Sequence, residues 1–488
     1  MGLQRQHSLE SSGSETSIRS YSFPGSMGFP RQHSSSVLKD NLFQLREVDP
    51  EKDQEVIQEI ISSILNEIEN SECIDLHYTG HARELTVGDP QLLLLIAVMK
   101  EVDLSRLQVL NLSGCVFENE KIITMMADLL TFGNLPVLRY LDVSGHYTLT
   151  DGGNAAIARA LKSGRLANLE HLGLPRCNIG DMVDAIQEGT ITELKGLTLT
   201  GRDPIEEPTP SDVHRLFEAG HMTQIKKLVM KGHTLDSIGT VGLTRALHCN
   251  PAINLQTLDL SSNTIGVSGS IALARLVEDG NLVLLRNWRF SSCGIDGEQM
   301  ETIMQGLESG LLCNLEHLDV SWNKFKDQGA LALARVIEAG HLPELRRLNL
   351  GYCEIGTEFK LRHGILAVLE ALGEGNMSQL EWLNLLGNQI GHCAATTMAN
   401  TIVEILEMMP KLRFVNLFDS RRGNHALKQA LDLVLRYPVS EFTAVYSGLK
   451  RKTRISLYGP NGTSLRQKTC NSESEFHGEG GLQSSELT

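Results

Sequence analysis

The sequence predicts an α/β solenoid of stacked repeats, and two observations support this fold class. The first is a motif, Leu-x-x-Leu-x-Leu, which returns about eleven times, in most copies with Asn or Cys three residues after its last Leu. The second lies between the motifs, where apolar residues follow the period of a helix and end in Gly, as in residues 330–342. A repeat cannot bury its apolar face alone, so neighbouring repeats must stack.

The motif copies define the predicted strands. Five consecutive copies start 30 residues apart, from position 225 to position 345. Side chains of a strand alternate between its two faces, so the Leu positions fill the core and the residues between them face the other side. Residues 73–76 form a degenerate first copy. The full copies start at Leu107, Leu138, Leu169, Leu194, Ile225, Leu255, Leu285, Leu315, Leu345, Leu380 and Leu412.

In these motifs the chain resembles the leucine-rich repeats of the ribonuclease-inhibitor class over residues 73–437. The resemblance implies a right-handed horseshoe of about 11–12 repeats, with a parallel sheet on the concave side and helices outside. We predict a scaffold that binds a partner protein on the concave face. The sequence has no P-loop, no Gly-x-Ser-x-Gly and no His-Glu-x-x-His motif, so we expect neither catalysis nor a cofactor. Similar repeats form the sensing part of intracellular NOD-like receptors, which leaves a detached sensing arm as another alternative.

Capping segments and tails bound the predicted solenoid. We expect a disordered Ser-rich tail over residues 1–40 and a helical cap within 41–72, whose helix starts at Asp49 and Pro50. Residues 438–488 form a second polar tail that we expect to be mostly disordered. The apolar stripe of the first cap is Val56, Ile57, Ile60, Ile61, Ile64, Leu65 and Ile68. The last helix carries Ala426, Leu427, Ala430, Leu431, Val434 and Leu435 and ends at Pro438.

Composition narrows the classes of partner. A net charge of -15 argues against binding to nucleic acid, which needs a basic face, and fits a partner with a basic surface. The longest apolar run has eight residues, Leu92 to Met99, which is too short to insert across a membrane. Residues 1–40 hold no apolar secretory segment, so we expect a cytoplasmic location, with the nucleus as the alternative.

Four cysteines occupy the Asn/Cys position of the motif: Cys115, Cys177, Cys293 and Cys353. That position turns the chain out of the strand and bonds to the backbone of the neighbouring repeat. The chain has no Cys-x-x-Cys pair, so we interpret these thiols as structural and predict no metal site.

The predicted concave face has a polar, partly acidic central column. Large aromatic residues join it near the C-terminal end, where the repeat gives them no core role. Exposed aromatic rings beside carboxylates are typical of interface hot spots, and packing between adjacent concave side chains is the alternative. We also expect His171 and His317 to be solvated there. The predicted partner-binding residues are Asp142, Asp259, Asp319, Trp322, Tyr352, Trp382, Phe414 and Phe418.

An irregular, Pro-rich stretch follows the fourth full copy of the motif and begins Thr200-Gly-Arg202. This stretch resembles the loop of Ran GTPase-activating proteins, in which an arginine supports GTP hydrolysis by a partner GTPase. The resemblance implies an alternative function in which Arg202 stabilises charge on a transferring phosphoryl group of a small GTPase. Two features of that family differ from this chain. Its members carry a strongly acidic tail after the repeats, which this chain does not have, and their loop lies nearer the start of the array than the stretch at Arg202 does.

The N-terminal tail carries three serines in arginine-directed contexts. Ser8 and Ser34 each follow an Arg by three residues, a pattern similar to the substrates of basophilic kinases. The segment around Ser22, Arg-Ser-Tyr-Ser-Phe-Pro, resembles the phosphoserine motif that 14-3-3 proteins recognise through an arginine cluster. We therefore predict phosphorylation of Ser8, Ser22 and Ser34, with chance in a Ser-rich tail as the alternative.

Overall fold

A computed structural model shows one sheet of 13 parallel strands with helices in the connections between them. The residues that the structure describes are 36–44, 54–76, 89–115, 120–144, 151–174, 179–188, 191–200, 224–232, 235–250, 254–356, 364–374, 376–388, 401, 405, 409, 411–416 and 454–456.

The strands follow one another across the sheet in chain order, so each pairs in parallel with its neighbours in sequence. They are β1 (Cys73–Asp75), β2 (Val109–Asn111), β3 (Tyr140–Asp142), β4 (His171–Leu174), β5 (Gly196–Thr200), β6 (Lys227–Lys231), β7 (Thr257–Asp259), β8 (Asn287–Arg289), β9 (His317–Asp319), β10 (Arg347–Asn349), β11 (Trp382–Asn384), β12 (Phe414–Asn416) and β13 (Arg454–Ser456).

The helices of the described ranges form the outer layer, and successive helices contact each other from α1 to α6 and from α7 to α11. They are α1 (Ser36–Gln44), α2 (Gln54–Asn70), α3 (Asp89–Glu101), α4 (Glu120–Phe132), α5 (Asp151–Lys162), α6 (Ile179–Glu188), α7 (Ser237–His248), α8 (Gly266–Glu278), α9 (Gly297–Leu307), α10 (Lys326–Glu338) and α11 (Gly364–Gly373). None of the helices in this part of the chain has the length and apolar character that a membrane crossing requires.

The strand register follows the motif. Asp259 pairs with Arg289, which pairs with Asp319, and each of these steps spans 30 residues. The same register continues through Asn349 and Asn384, so the predicted central column is confirmed as a column of laterally adjacent residues. Side chains at equal motif positions therefore stand side by side along the sheet.

The core lies between the sheet and the helices and contains the apolar motif positions, as predicted. Leu255, Leu258 and Leu260 of one copy are at most 1% exposed. In the next copy Trp288 and Phe290 replace two of these leucines, and both are 0% exposed. Their rings lie 5.0 Å apart at 57°, so the aromatic pair fills the space that two leucines occupy in the adjacent repeat.

At the N-terminal end, α2 buries Ile60, Ile64 and Ile68 against the first repeat. At the other end, β13 pairs with β12 and adds a strand within the segment 438–488, which the motif does not reach. The helix predicted over 426–435 lies outside the described residues. The boundaries of the tails and caps therefore stay predictions.

Candidate interaction surface

The polar side chains of the central column form tight turns at the strand ends. Asp319 Oδ1 accepts hydrogen bonds from the backbone N–H and the hydroxyl of Ser321, at 3.1 and 2.6 Å. Asp142 makes the same pair of bonds with Ser144, at 2.9 and 2.6 Å. A short side chain that accepts from the backbone two residues later stabilises a turn, so these carboxylates have a local structural role.

The Asn/Cys position of the motif joins neighbouring repeats. Asn323 is fully buried, and its amide donates to the carbonyls of Phe290 and Val320, at 2.9 and 2.8 Å. Its oxygen accepts from the backbone N–H groups of Cys293 and Ile295, at 2.9 and 3.1 Å. This one side chain therefore satisfies four buried backbone groups, three of them in the preceding repeat.

Three of the four cysteines at that position, Cys115, Cys293 and Cys353, are buried where the motif predicted. The thiol of Cys293 donates to the carbonyl of Leu260 at 3.1 Å, and that of Cys353 donates to Val320 at 3.5 Å. Burial raises the pKa of Cys293 to about 12, which keeps the thiol protonated and unreactive. Among the described residues, no group of His, Cys, Asp or Glu has the arrangement of a metal site.

Trp322 and Tyr352 form a stacked aromatic pair just after the carboxyl ends of β9 and β10. Their ring centroids lie 4.0 Å apart with an angle of 16° between the planes. Their side chains are 57% and 38% exposed, among the most exposed apolar residues of the described chain. The Tyr352 ring covers Gly387, whose missing Cβ would lie 2.3 Å from that ring. The glycine thus makes room for the stack in the next repeat.

Both aromatic residues have a left-handed backbone, with φ of 60° at Trp322 and 56° at Tyr352. The same motif position in neighbouring repeats holds Ser262, Ser292 and Gly387, also with positive φ. Large side chains rarely adopt this conformation, which costs about 1 kcal/mol per residue. Core packing does not account for this cost, because the two rings point to solvent.

A second aromatic pair lies within the strands. Trp382 and Phe414 are laterally adjacent on β11 and β12, and their rings stack at 5.6 Å and 8°. Both side chains are half-buried. Together with Trp322 and Tyr352 they form the aromatic edge, the name used below for these four residues. The structure therefore places four of the predicted contact residues on four successive repeats as two stacked pairs, with Trp322 and Tyr352 just after β9 and β10 and Trp382 and Phe414 at the starts of β11 and β12.

The N-terminal half of the concave face contains a buried polar cluster. The His171 ring stacks on Tyr140 at 4.2 Å, and its Nε2 lies 3.7 Å from Asp142 Oδ2. Gly196 leaves the space that the His171 ring fills. Burial lowers the pKa of His171, and the Asp142 carboxylate opposes this shift only in part. The predicted solvation of His171 is wrong, since the ring is 1% exposed.

His317 is also buried, so the predicted solvation is wrong here as well. Its strand lies between those of Arg289 and Arg347. Burial lowers the pKa of His317 to about 4, and the Arg347 and Arg289 guanidinium groups act in the same direction. The imidazole is therefore neutral at pH 7, and protonating it within the folded protein is unfavourable.

We expect the folded state to lose stability as the pH falls from about 6.5 to about 4, because the unfolded chain then binds a proton that folded His317 excludes. Above pH 6.5 the imidazole is neutral in both states and contributes no pH dependence. Urea midpoints at about pH 7.5 and about pH 4.5 measure the loss, which we expect to reach about 1–3 kcal/mol. The variant His317→Asn should lose less stability over this interval. An equal loss in both proteins would contradict the role of His317.

The remaining predicted residues are placed as follows. Asp142 and Asp259 are 6% and 8% exposed, and Asp319 is half-buried. Partner binding by these carboxylates stays a prediction, alongside their visible role in turns. Residues outside the described part of the chain are Ser8, Ser22, Ser34, Cys177, Arg202 and Phe418.

The motif copies share one more feature. Three residues after the central column, most copies have Gly or Ser, as at Gly114, Gly232, Ser262 and Ser292. Small residues at a recurring position indicate positive φ. A large aromatic residue at this position is therefore an exception that the alignment of copies alone would reveal.

Comparisons with known proteins agree with the repeat. A family model described as "Leucine Rich repeat" matches residues 252–274 and 312–334. The yeast Rad7 chain, solved in complex with Elc1, is 16% identical, with 74% of this chain and 75% of that chain covered and a TM-score of 0.44. An internalin (inlF) of Listeria monocytogenes is 16% identical, with coverage of 75% and 87% and a TM-score of 0.35. The leucine-rich-repeat protein LegL7 of Legionella pneumophila is 15% identical, with 65% of this chain and 91% of that chain covered and a TM-score of 0.38.

Proposed function

We propose that this chain, a leucine-rich-repeat protein, is a non-catalytic scaffold that holds a partner protein against the aromatic edge of its concave side. The observation that carries the proposal is the stack of Trp322 on Tyr352, exposed and built on a left-handed backbone. Backbone strain that the core does not require is typical of functional sites. Large, pre-ordered aromatic rings are also the side chains that dominate protein interfaces.

The half-buried pair of Trp382 and Phe414 lies on the next two strands and adds a second stacked pair of rings. Rings that are already stacked lose little side-chain entropy on binding, which favours affinity. Turn carboxylates such as Asp319 lie at the border of this surface and provide a polar rim. A partner with an apolar anchor surrounded by polar or basic groups fits this arrangement.

The test replaces both exposed rings by the residue that neighbouring repeats carry at the same position. In the double variant Trp322→Ser and Tyr352→Ser, we expect partner binding to weaken by about 2 kcal/mol or more, a loss of roughly thirtyfold. We expect the thermal midpoint to stay the same, because serine occupies this position in two adjacent repeats. Quantitative affinity capture with the full chain, followed by titration calorimetry with the captured partner, measures both.

Phe132 provides the matched control, since it is 76% exposed and lies on α4, away from the aromatic edge. The variant Phe132→Ser should capture the same partners as the wild type. If the double variant retained every partner that Phe132→Ser retains, the aromatic edge would not be the binding surface.

Two finer proposals rest on sequence alone. We further propose that Ser8, Ser22 and Ser34 are phosphorylated in a cytoplasmic or nuclear protein, and that phosphorylated Ser22 forms a site for 14-3-3 proteins. Mass spectrometry of the chain purified from cells tests this, and unmodified serines would count against it.

The alternative function, activation of a small GTPase through Arg202, predicts faster GTP hydrolysis that Arg202→Ala removes. No geometry of the described residues favours this alternative over the scaffold.

A further inference from the structure

The helical side of the solenoid carries an open groove between α7 and α8, with a volume of about 580 Å³. Its lining includes the aliphatic side chains of Val241 and Ile271 and, one helical turn later, the arginines Arg245 and Arg275. Before Val241 on α7, Ile238 is also exposed, at 63%. The groove is thus apolar beside the first turns of the two helices and basic one turn later.

The corresponding groove two repeats later is closed by its own charges. Between α9 and α10, Arg335 contacts Glu301 at 2.9 Å and Glu308 at 3.6 Å. The amide of Gln328 donates to the other oxygen of Glu301 at 3.0 Å. This network connects the two helices and neutralises the arginine with carboxylates of the chain itself.

The repeat allows a position-by-position comparison of the two grooves, because the strands of these repeats are 30 residues apart. A shift of two repeats places Arg275 where the later groove has Arg335. The same shift places Val241 at the position of Glu301, His248 at that of Glu308 and Ser268 at that of Gln328. The earlier groove therefore keeps the arginine but has lost both carboxylates that neutralise it.

The charges of the earlier groove confirm this difference. Among the residues that the structure describes, neither Arg245 nor Arg275 lies within ion-pair distance of a carboxylate. Asp279 lines the groove too, but its Oδ2 lies 3.5 Å from His248 Nδ1. At the position of Glu301 stands a half-buried valine, next to Ile271 at 39% exposure.

We propose that the groove between α7 and α8 binds an acidic amphipathic helix of a partner protein. The carboxylates of that helix take the place that Glu301 and Glu308 occupy in the later groove and pair with Arg275 and Arg245. Its aliphatic side chains cover Val241 and Ile271. This surface is separate from the aromatic edge, so the proposal goes beyond the function proposed above.

The dimensions of the groove determine what its ligand must look like. Ile238 and Arg245 are seven residues apart on α7, which is about two turns or roughly 10 Å of helix. A ligand helix of similar length therefore presents aliphatic residues at i and i+4 and a carboxylate one turn further.

The test uses a displayed library of amphipathic helical peptides, with apolar, acidic and basic residues varied on one face, selected against the full-length protein. The selected peptides are then titrated against the wild type and against Val241→Glu, which recreates the internal carboxylate of the later groove. We expect the selected peptides to carry Asp or Glu at one end of the apolar face. We expect Val241→Glu and Arg275→Glu each to weaken binding at least about tenfold.

A reciprocal variant distinguishes a loss of the groove's charge pattern from misfolding, because it is expected to gain binding and not to lose it. In Glu301→Val the later groove acquires the aliphatic residue of the earlier one, and we expect this variant to bind acidic peptides at a second site. The Trp322→Ser, Tyr352→Ser variant should bind the peptides like the wild type, which separates this proposal from the proposed function. The proposal is overturned if selection yields no peptides, if the selected peptides lack carboxylates, or if Val241→Glu binds them equally well. Light scattering that shows a dimer dissociated by Val241→Glu would overturn it too, by making a second copy of the chain the occupant.

Discussion

Replacing Asn323 by alanine is expected to destabilise the protein by about 3 kcal/mol or more. The substitution leaves the carbonyl of Phe290 and the N–H groups of Cys293 and Ile295 without the amide that bonds to them, whereas the Val320 carbonyl keeps the thiol of Cys353. Each buried backbone group without a partner costs about 1–3 kcal/mol. Part of this cost is recovered if water enters the space, so the sum of three such penalties is an upper limit.

The matched control is Asn323→Cys, because the adjacent repeats have Cys293 and Cys353 at this position. A thiol donates one weak hydrogen bond, as Cys293 does to Leu260 at 3.1 Å, and its smaller side chain remains buried. We therefore expect Asn323→Cys to lose less than half of the stability that Asn323→Ala loses.

Urea unfolding of the full chain, with hydrogen exchange at the repeats on either side, measures both variants. Exchange is needed because a repeat array can unfold in parts, so one midpoint does not describe it fully. We expect the largest increase in exchange at β8 and β9, which Asn323 connects. Equal stability of the alanine and cysteine variants would mean that the amide hydrogen bonds contribute nothing at this position.

Replacing Trp288 by alanine is expected to cost about 3–5 kcal/mol, the usual range for removing a large aromatic side chain from a core. Trp288 is 0% exposed and packs against Phe290 in the layer where other repeats have leucines. Its indole N–H has no hydrogen-bond partner in the described part of the chain. The stabilisation therefore comes from packing, and not from a polar contact.

Leucine is the informative control at this position, because it is the residue of the motif. The variant Trp288→Leu leaves a smaller cavity than alanine does and removes the indole N–H, so we expect it to lose about 1–3 kcal/mol. The same unfolding and exchange measurements apply, with the largest effect in β8. A loss from Trp288→Leu as large as that from Trp288→Ala would show that the repeat depends on the shape of the indole itself.

Much of the fold follows from the motif. Leu255, Leu258 and Leu260 predict a strand, its buried face and its register against the next copy, because alternation and the 30-residue spacing are both visible in the sequence. The structural role of Cys293 and Cys353 follows in the same way from their place in the motif. Trp288 is also placed in the core by its position, although its side chain departs from the motif.

The candidate site is less predictable, since exposure depends on neighbours that are distant in sequence. His171 and His317 occupy positions that face away from the core, yet side chains of adjacent repeats cover both rings. Trp322 and Tyr352 are recognisable as aromatic exceptions, but their stack requires Gly387 in the next repeat. Contacts of this kind are lateral, between equal positions of different repeats.

The sequence by itself determined the repeat, the strands, the core and the column in which each polar residue stands, because these depend on short-range alternation and a fixed period. Only the tertiary structure decided which of those polar residues remain in contact with water and which arginines meet a carboxylate. Arg335 and Arg275 occupy the same position of two helices, and Glu301 or Val241 on the preceding helix makes the difference. The physical reason is that burial and ion pairing depend on distances between adjacent repeats, and stacking sets those distances.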